Sequence, residues 1–153
     1  MSTYELLLFG HLLAAMVWVG GGVMVQMFYL RARGAGGEAL GHFARTVEWI
    51  GLRVTTPASL LVIVFGVLLV IEIDGYDFGQ FWITAALAMF AVSFVTGAGF
   101  LGPETGRVGK LMDERPADDP EIARRIARLV FVSRIELTLL ILIVLDMVLK
   151  PGL

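Results

Sequence analysis

Along this chain, apolar residues come in long unbroken runs rather than in alternation. The first extends from Tyr4 to about Leu30 and the second from Val54 to about Ile73. The third covers Phe81 to Leu101 and the fourth Leu129 to Leu149. Each reaches or approaches the ~20 residues a helix needs to cross a bilayer. A barrel strand would need only about 9–11 residues with a period of two, and that alternation is missing. Backbone groups inside lipid must find partners within their own segment, so runs of this length predict helices. The predicted fold class is an all-α membrane protein, a four-transmembrane-helix bundle forming a single integral membrane domain over residues 1–153. No Lys or Arg precedes the first run, which outlasts the about 7–15 apolar residues of a signal peptide. It is predicted to be a retained helix.

The stretches between the runs add detail. RARGAGGE reads as a flexible break. EALGHFARTVEWIG then places Leu40, Phe43, Val47 and Ile50 at helical spacing, which predicts a short interfacial helix over about 38–50, with Trp49 at headgroup depth. PETGRVGKLMDERPADDPE reads as a polar, proline-punctuated loop. Asp119 is positioned as a helix N-cap with Pro120 at the first helical position, so the fourth helix is expected to begin well before its apolar part. Pro151 and Gly152 end it.

Composition and charge sharpen this picture. The chain is 58% hydrophobic and 17% charged, too little polar surface for a soluble domain of this size. A net charge of −2 gives no electrostatic case for nucleic acid. With no cysteine, disulfides, thiolate metal sites and iron–sulfur clusters are excluded. Arg31, Arg33, Arg45 and Arg53 lie between runs one and two, and Arg107, Lys110, Arg115, Arg124, Arg125 and Arg128 between runs three and four. The connection between runs two and three has no Lys or Arg and carries Glu72, Asp74 and Asp77. Basic connections stay on the cytoplasmic side, so both termini and the acidic loop are expected on the outer side of the membrane.

The candidate chemistry is sparse. His11 sits about seven residues into the first run, roughly 10 Å below the outer surface. Ala15, Trp18, Gly22 and, further on, Tyr29 share its helical face, and small residues there admit another helix or a flat cofactor. Two readings of His11 are open. One is a haem or metal ligand or a proton-relay group. The other is a neutral histidine hydrogen-bonded to a facing helix, with Thr84 as a candidate partner. Asp146 is expected at a similar depth, either orienting His11 or pairing with Lys150 one helical turn on. Arg134 and Glu136, with Arg53 and Glu48, are expected to form an ion-pair cluster that fixes helix packing and depth. His42 falls at the opposite side from His11. If His11 holds haem, the other axial position is a methionine, with Met16, Met89 and Met147 available by depth, another oxygen or nitrogen donor, or open. Gly97, Gly99 and Gly102 spell a literal G-x-G-x-x-G, but the motif closes an apolar helix instead of following a strand, so it is no dinucleotide fingerprint. These glycines, like Gly20, Gly21 and Gly22, are expected to permit close helix approach. No Walker loop, H-E-x-x-H or G-x-S-x-G is present, and no catalytic residue is assigned.

Several stretches carry a family likeness: HLLAAMVWVGGG, EWIGLRVTTPASLLVIVFG, FVTGAGFLGP and the closing SRIELTLLILIVLDMVLKPGL. In them the chain resembles, nearly end to end, a family of small bacterial integral membrane proteins. That likeness names a family without naming an activity. In the first run, His11, six intervening residues, Trp18 and then Gly20 are similar to the first helix of HemJ-type protoporphyrinogen oxidases and CopD-type copper-resistance proteins. The HemJ resemblance implies haem b at His11, with Trp18 as a supporting position.

Three functions follow as expectations. The first is haem b binding through His11, with Trp18, Gly22 and Met147 around it, in a redox or haem-handling role. The second is permeation of a cation, metal or small solute through a site made by His11 and Asp146, fed by the acidic loop. The third is a non-catalytic subunit or assembly factor of a larger membrane complex, or a homo-oligomer, using the glycine-rich helix faces. In each case the lipid bilayer is the surrounding partner.

Overall fold

A computed structural model describes residues 2–116 and 119–152, and among them every regular element is a helix. The first, α1 (Thr3–Ala35), opens with a capping box. The Ser2 hydroxyl accepts the Glu5 backbone N–H at 3.2 Å and the Glu5 carboxylate accepts the Ser2 N–H at 2.8 Å. It outruns the predicted end by five residues. The expected flexible break shrinks to Gly36, whose φ of +101° suits glycine and turns the chain directly into α2 (Gly37–Ile50).

α2 does not stop at Gly51. It passes through a π-helical turn (Gly51–Thr55) into α3 (Thr56–Glu72), making one rod of 36 residues. The expected interfacial helix over 38–50 is therefore the polar half of a longer helix, without a break at its end. The same construction recurs. α4 (Phe81–Thr96) passes through a π-helical turn (Gly97–Leu101) into α5 (Gly102–Glu114). The expected polar loop after residue 101 is thus mostly helix. Both π turns precede a proline, Pro57 and Pro103. Proline lacks an N–H and its ring clashes with the carbonyl four residues back. Widening the preceding turn lets Thr56 and Gly102 donate five residues back, to the Gly51 and Gly97 carbonyls, so the rod survives. Gly97 and Gly99 have open space where a Cβ would sit, so they serve no close helix contact.

The last helix, α6 (Pro120–Leu149), starts as expected. The Asp119 carboxylate accepts the Glu121 N–H at 2.7 Å and Pro120 occupies the first turn. Among the described residues, three rods are long and apolar enough to cross a membrane: Thr3–Ala35, Gly37–Glu72 and Phe81–Glu114. α6 is long enough, but Arg134, Glu136 and Asp146 interrupt its apolar run. Outward-facing side chains along the rods, such as Phe9, Leu61 and Val95, are apolar and exposed, a surface suited to lipid.

Two cores hold the bundle. At the arginine-rich end, the last turns of α1 pack with α2, α5 and the start of α6 around Phe43, Val108, Ile122 and Ile126. Leu40 and Val47 join this core, as the spacing in α2 predicts. Here Glu104 is buried and accepts from Arg125 at 2.7 Å and Arg107 at 3.3 Å, tying α5 to α6. Arg45 pairs with Asp113 at 2.7 Å, tying α2 to α5. Toward the chain termini, a second core forms from Ala14, Trp18, Ala58, Val62, Leu140 and Ile143.

The ion-pair cluster expected of Arg53, Glu48, Arg134 and Glu136 is not made. Arg53 lies over the Trp49 ring, 5.5 Å from its centroid, because the two are one turn apart on an exposed face. Arg134 donates to the Gln26 side chain at 3.4 Å, and Glu136 accepts from the Ser93 hydroxyl. Glu48 turns instead toward the side-chain-free surface of α5 at Gly106 and Gly109.

Two outcomes follow for stability. Ile122 is 1% exposed, so Ile122→Ala is expected to cost about 3 kcal/mol in unfolding of the detergent-solubilised protein. The exposed Val148→Ala is expected to stay within about 0.5 kcal/mol of wild type. At the start of α6, hydrogen bonds from Arg125 and Arg115 hold the Glu121 carboxyl below the usual glutamate range. A depressed folded value gives stability that is complete above the ordinary value and is lost as pH falls through the lowered one. Between about pH 5 and about pH 3, wild type should therefore lose more of its thermal midpoint than Glu121→Gln.

Candidate functional site

The pairing of α1 with α3 is the most extensive between helices, and two glycines make it possible. A Cβ on Gly10 would stand 2.8 Å from the Phe65 ring of α3. A Cβ on Gly66 would stand 3.2 Å from the His11 ring of α1. Each helix thus receives a ring from the other on a bare patch of backbone. Side chains in a helix lean toward its N-terminus, over the preceding turn. With no side chain at residue 66, the Val62 carbonyl one turn earlier is uncovered. His11 Nδ1 lies 3.0 Å from that oxygen. A carbonyl can only accept, so Nδ1 carries the proton, and in the neutral ring Nε2 is left with the lone pair. Among the described residues Nε2 has no hydrogen-bond partner.

His11 also lines a cavity of about 680 Å³ between the α1–α3 pair and the α4–α6 pair. That volume lies in the ~300–1,000 Å³ range of small-molecule sites. The walls are mostly apolar, with Trp18, Val62, Ile83 and Met147 among them. Trp18 is buried and meets Phe90 of α4 edge-on, with centroids 5.3 Å apart. Gly20 opens onto the cavity with no atom within 4 Å of its absent Cβ.

Of the residues singled out from the sequence, His11, Trp18 and Met147 therefore share one cavity, as does Met16. Gly22 does not. It lies on the α1–α6 seam, where a Cβ would meet Leu137 at 3.2 Å. Gly21 faces the Thr55 side chain, so successive glycines 100° apart face open cavity, α3's approach and α6 in turn. Met89 packs into the core beside Trp18, and Tyr29 meets Phe43 at a tilt at the arginine-rich end, with centroids 5.8 Å apart. The Thr84 hydroxyl is turned to the Gln80 carbonyl of its own helix at 2.7 Å, not to His11. His42 is exposed in α2, 4.0 Å from Glu38.

Asp146 joins neither expected partner. It does not line the cavity, and its Oδ2 is buried without a hydrogen bond. Asp146 makes no ion pair with Lys150, because Lys150 leaves the helix in the left-handed conformation (φ +43°). Its side chain swings back to the Tyr76 hydroxyl, 2.5 Å away. No group of three His, Asp or Glu side chains suited to a metal ion occurs among the described residues.

A family model described as "Predicted integral membrane protein (DUF2269)" matches residues 5–151. The chain belongs to that family. No curated protein and no solved structure matches it. In this DUF2269 protein the contributors missing from the sequence reading are Val62, Phe65 and Gly66 on α3, and Tyr76 and Trp82 at the cavity rim, where Lys150, read as a partner of Asp146, joins them. Gly66 is the single glycine of α3, a signal that could have marked where α1 comes close.

The seam gives a direct expectation. Gly10→Val and Gly66→Val should force α1 and α3 apart and lower stability by about 1–3 kcal/mol in detergent unfolding. Gly20→Ala, facing open space, should leave the midpoint nearly unchanged. A Gly66→Val protein as stable as Gly20→Ala would contradict the packing described.

Proposed function

We propose that this DUF2269 protein binds haem b in the 680 Å³ cavity through His11 Nε2, in a redox or haem-handling role. The observation that carries the reading is the Nδ1–H···O=C bond to Val62, which fixes the tautomer with the lone pair on Nε2. That arrangement is shared by histidines that bind metals: one ring nitrogen is held by a carbonyl and the other coordinates. No group of three His, Asp or Glu donors forms around His11 among the described residues, which favours an ion already held by a macrocycle over a bare cation. A flat apolar body suits the walls at Trp18, Val62 and Ile83. When bound, haem supplies one-electron redox chemistry. The protein's part is then to hold the imidazole at a fixed orientation, strengthen it as a donor through Val62, and keep water from the ring. Met147 lines the same cavity and offers a thioether as a second donor.

On this reading α6 is a fourth span. The polar groups of its middle find partners within the bundle, Arg134 on Gln26 of α1 and Glu136 on Ser93 of α4, as intramembrane polar groups require. The arginine-rich end faces the cytoplasm of a bacterial inner membrane and both termini face outward, by the distribution of basic residues.

Absorption spectroscopy of the detergent-purified protein after haem supplementation tests the proposal. A Soret band is expected in wild type, with loss or displacement of that band in His11→Ala. Absence of the band in wild type, or an unaltered band in His11→Ala, would overturn it.

A further inference from the structure

The cavity is apolar along most of its wall but has one polar rim, at the end that carries the chain termini. Two donors gather there, beside the Tyr76 hydroxyl. Trp82 is 4% exposed, lines the cavity, and its indole N–H has no acceptor among the described residues. Lys150 also lines the cavity, and its ammonium has no carboxylate within 4.0 Å among the described residues. It donates to the Tyr76 hydroxyl at 2.5 Å and lies over the Tyr76 and Trp82 rings, 5.1 and 5.4 Å from their centroids. The two rings meet edge-on at 5.1 Å, which fixes both beneath the ammonium.

The backbone places this lysine deliberately. Pro151 disfavours the right-handed helical conformation at the residue before it, so α6 cannot continue through Lys150. Lys150 adopts φ +43° instead, uncommon for a side-chain-bearing residue, and lines the cavity beside Tyr76 and Trp82. Two unpartnered acceptors lie nearby in sequence, Gln80 Oε1 and Asp146 Oδ2, but neither residue lines the cavity. Buried donors are normally satisfied, and a rim with an ammonium and an unmet indole N–H calls for an anionic oxygen.

We infer that the ligand of this cavity is an amphipathic molecule with carboxylate groups at one edge, and that Lys150 and Trp82 bind those carboxylates at the rim. The inference rests on the cavity being a ligand site and deepens the haem reading. It sets the orientation, with the carboxylate edge at the rim and the apolar body inward. Lys150 and Trp82 are binding residues, distinct in role from His11. The acidic edge and the metal centre are recognised by different residues, so they can be tested apart.

The probes are haem b, its dimethyl ester, metal-free protoporphyrin and the dimethyl ester of that ring, each titrated into the full-length protein in non-ionic detergent. Both free acids should bind wild type at least about tenfold tighter than their esters, the size of one charge-assisted hydrogen bond. Lys150→Met should bring acid and ester to within about twofold, Trp82→Phe should reduce the preference in part, and Lys150→Arg should restore it. His11→Ala should weaken the iron forms alone. Esters binding as tightly as acids, or a preference that survives Lys150→Met, would overturn the inference while leaving His11 ligation standing. An acid preference for the metal-free ring with no His11-dependent binding of the iron form would support the inference and sink the haem reading. Failure of all four probes to bind would overturn both.

Discussion

The hydrogen bond from His11 to the Val62 carbonyl is the contact on which the rest of the site depends. It crosses between two helices that would otherwise be held by dispersion alone, and it needs both Gly66 and a backbone approach close enough for a 3.0 Å contact. A polar ring inside an apolar bundle is costly unless satisfied. Here one nitrogen is satisfied by the backbone, and the same bond decides what the other nitrogen can do. Packing, tautomer and candidate chemistry are therefore one arrangement. Filling the bare patch at residue 66 would disturb all three together.

The bundle supports this arrangement through a division of labour along its length. At the arginine-rich end, amphipathic helices α2 and α5 pack with the ends of α1 and α6 as in a water-soluble bundle, with Val108 and Ile122 fully enclosed and Glu104 buried against Arg125. Toward the termini the helices part, leaving the cavity between the α1–α3 and α4–α6 pairs. The π turns at Gly51 and Gly97 join the two regimes. They carry the helix past Pro57 and Pro103 without a break, so each rod links the charged base to the apolar half. A rigid base of this kind holds the upper helices at a fixed spacing without filling the space between them.

Much of this was legible in the sequence. Continuous apolar runs announced the helices, the Leu40–Phe43–Val47 spacing announced the buried face of α2, and Asp119–Pro120 announced the start of α6. His11, Trp18 and Met147 line one cavity; the shared helical face of His11 and Trp18 and the depth of Met147 along α6 were readable, whereas what the cavity holds was not. What was hidden depends on through-space detail. Pro103 reads locally as a breaker, and only the widened turn before it lets α5 form, so the Val108–Met112 face was taken for loop. Gly22 and Gly20 look alike in sequence, yet one meets Leu137 and the other opens on the cavity. Lys150 reads as an i+4 partner of Asp146, but that rule assumes a continuing helix, and the left-handed turn before Pro151 removes it.

The most direct test of the central claim is the protonation pattern of one imidazole. Nitrogen-15 NMR of histidine-labelled protein in detergent, with His11 assigned by its loss in His11→Ala, distinguishes the two neutral tautomers. The account predicts a proton on Nδ1, hydrogen-bonded across to α3, and a bare Nε2. A proton on Nε2 with Nδ1 bare would contradict it, because the Val62 carbonyl could not then be the partner that holds the ring.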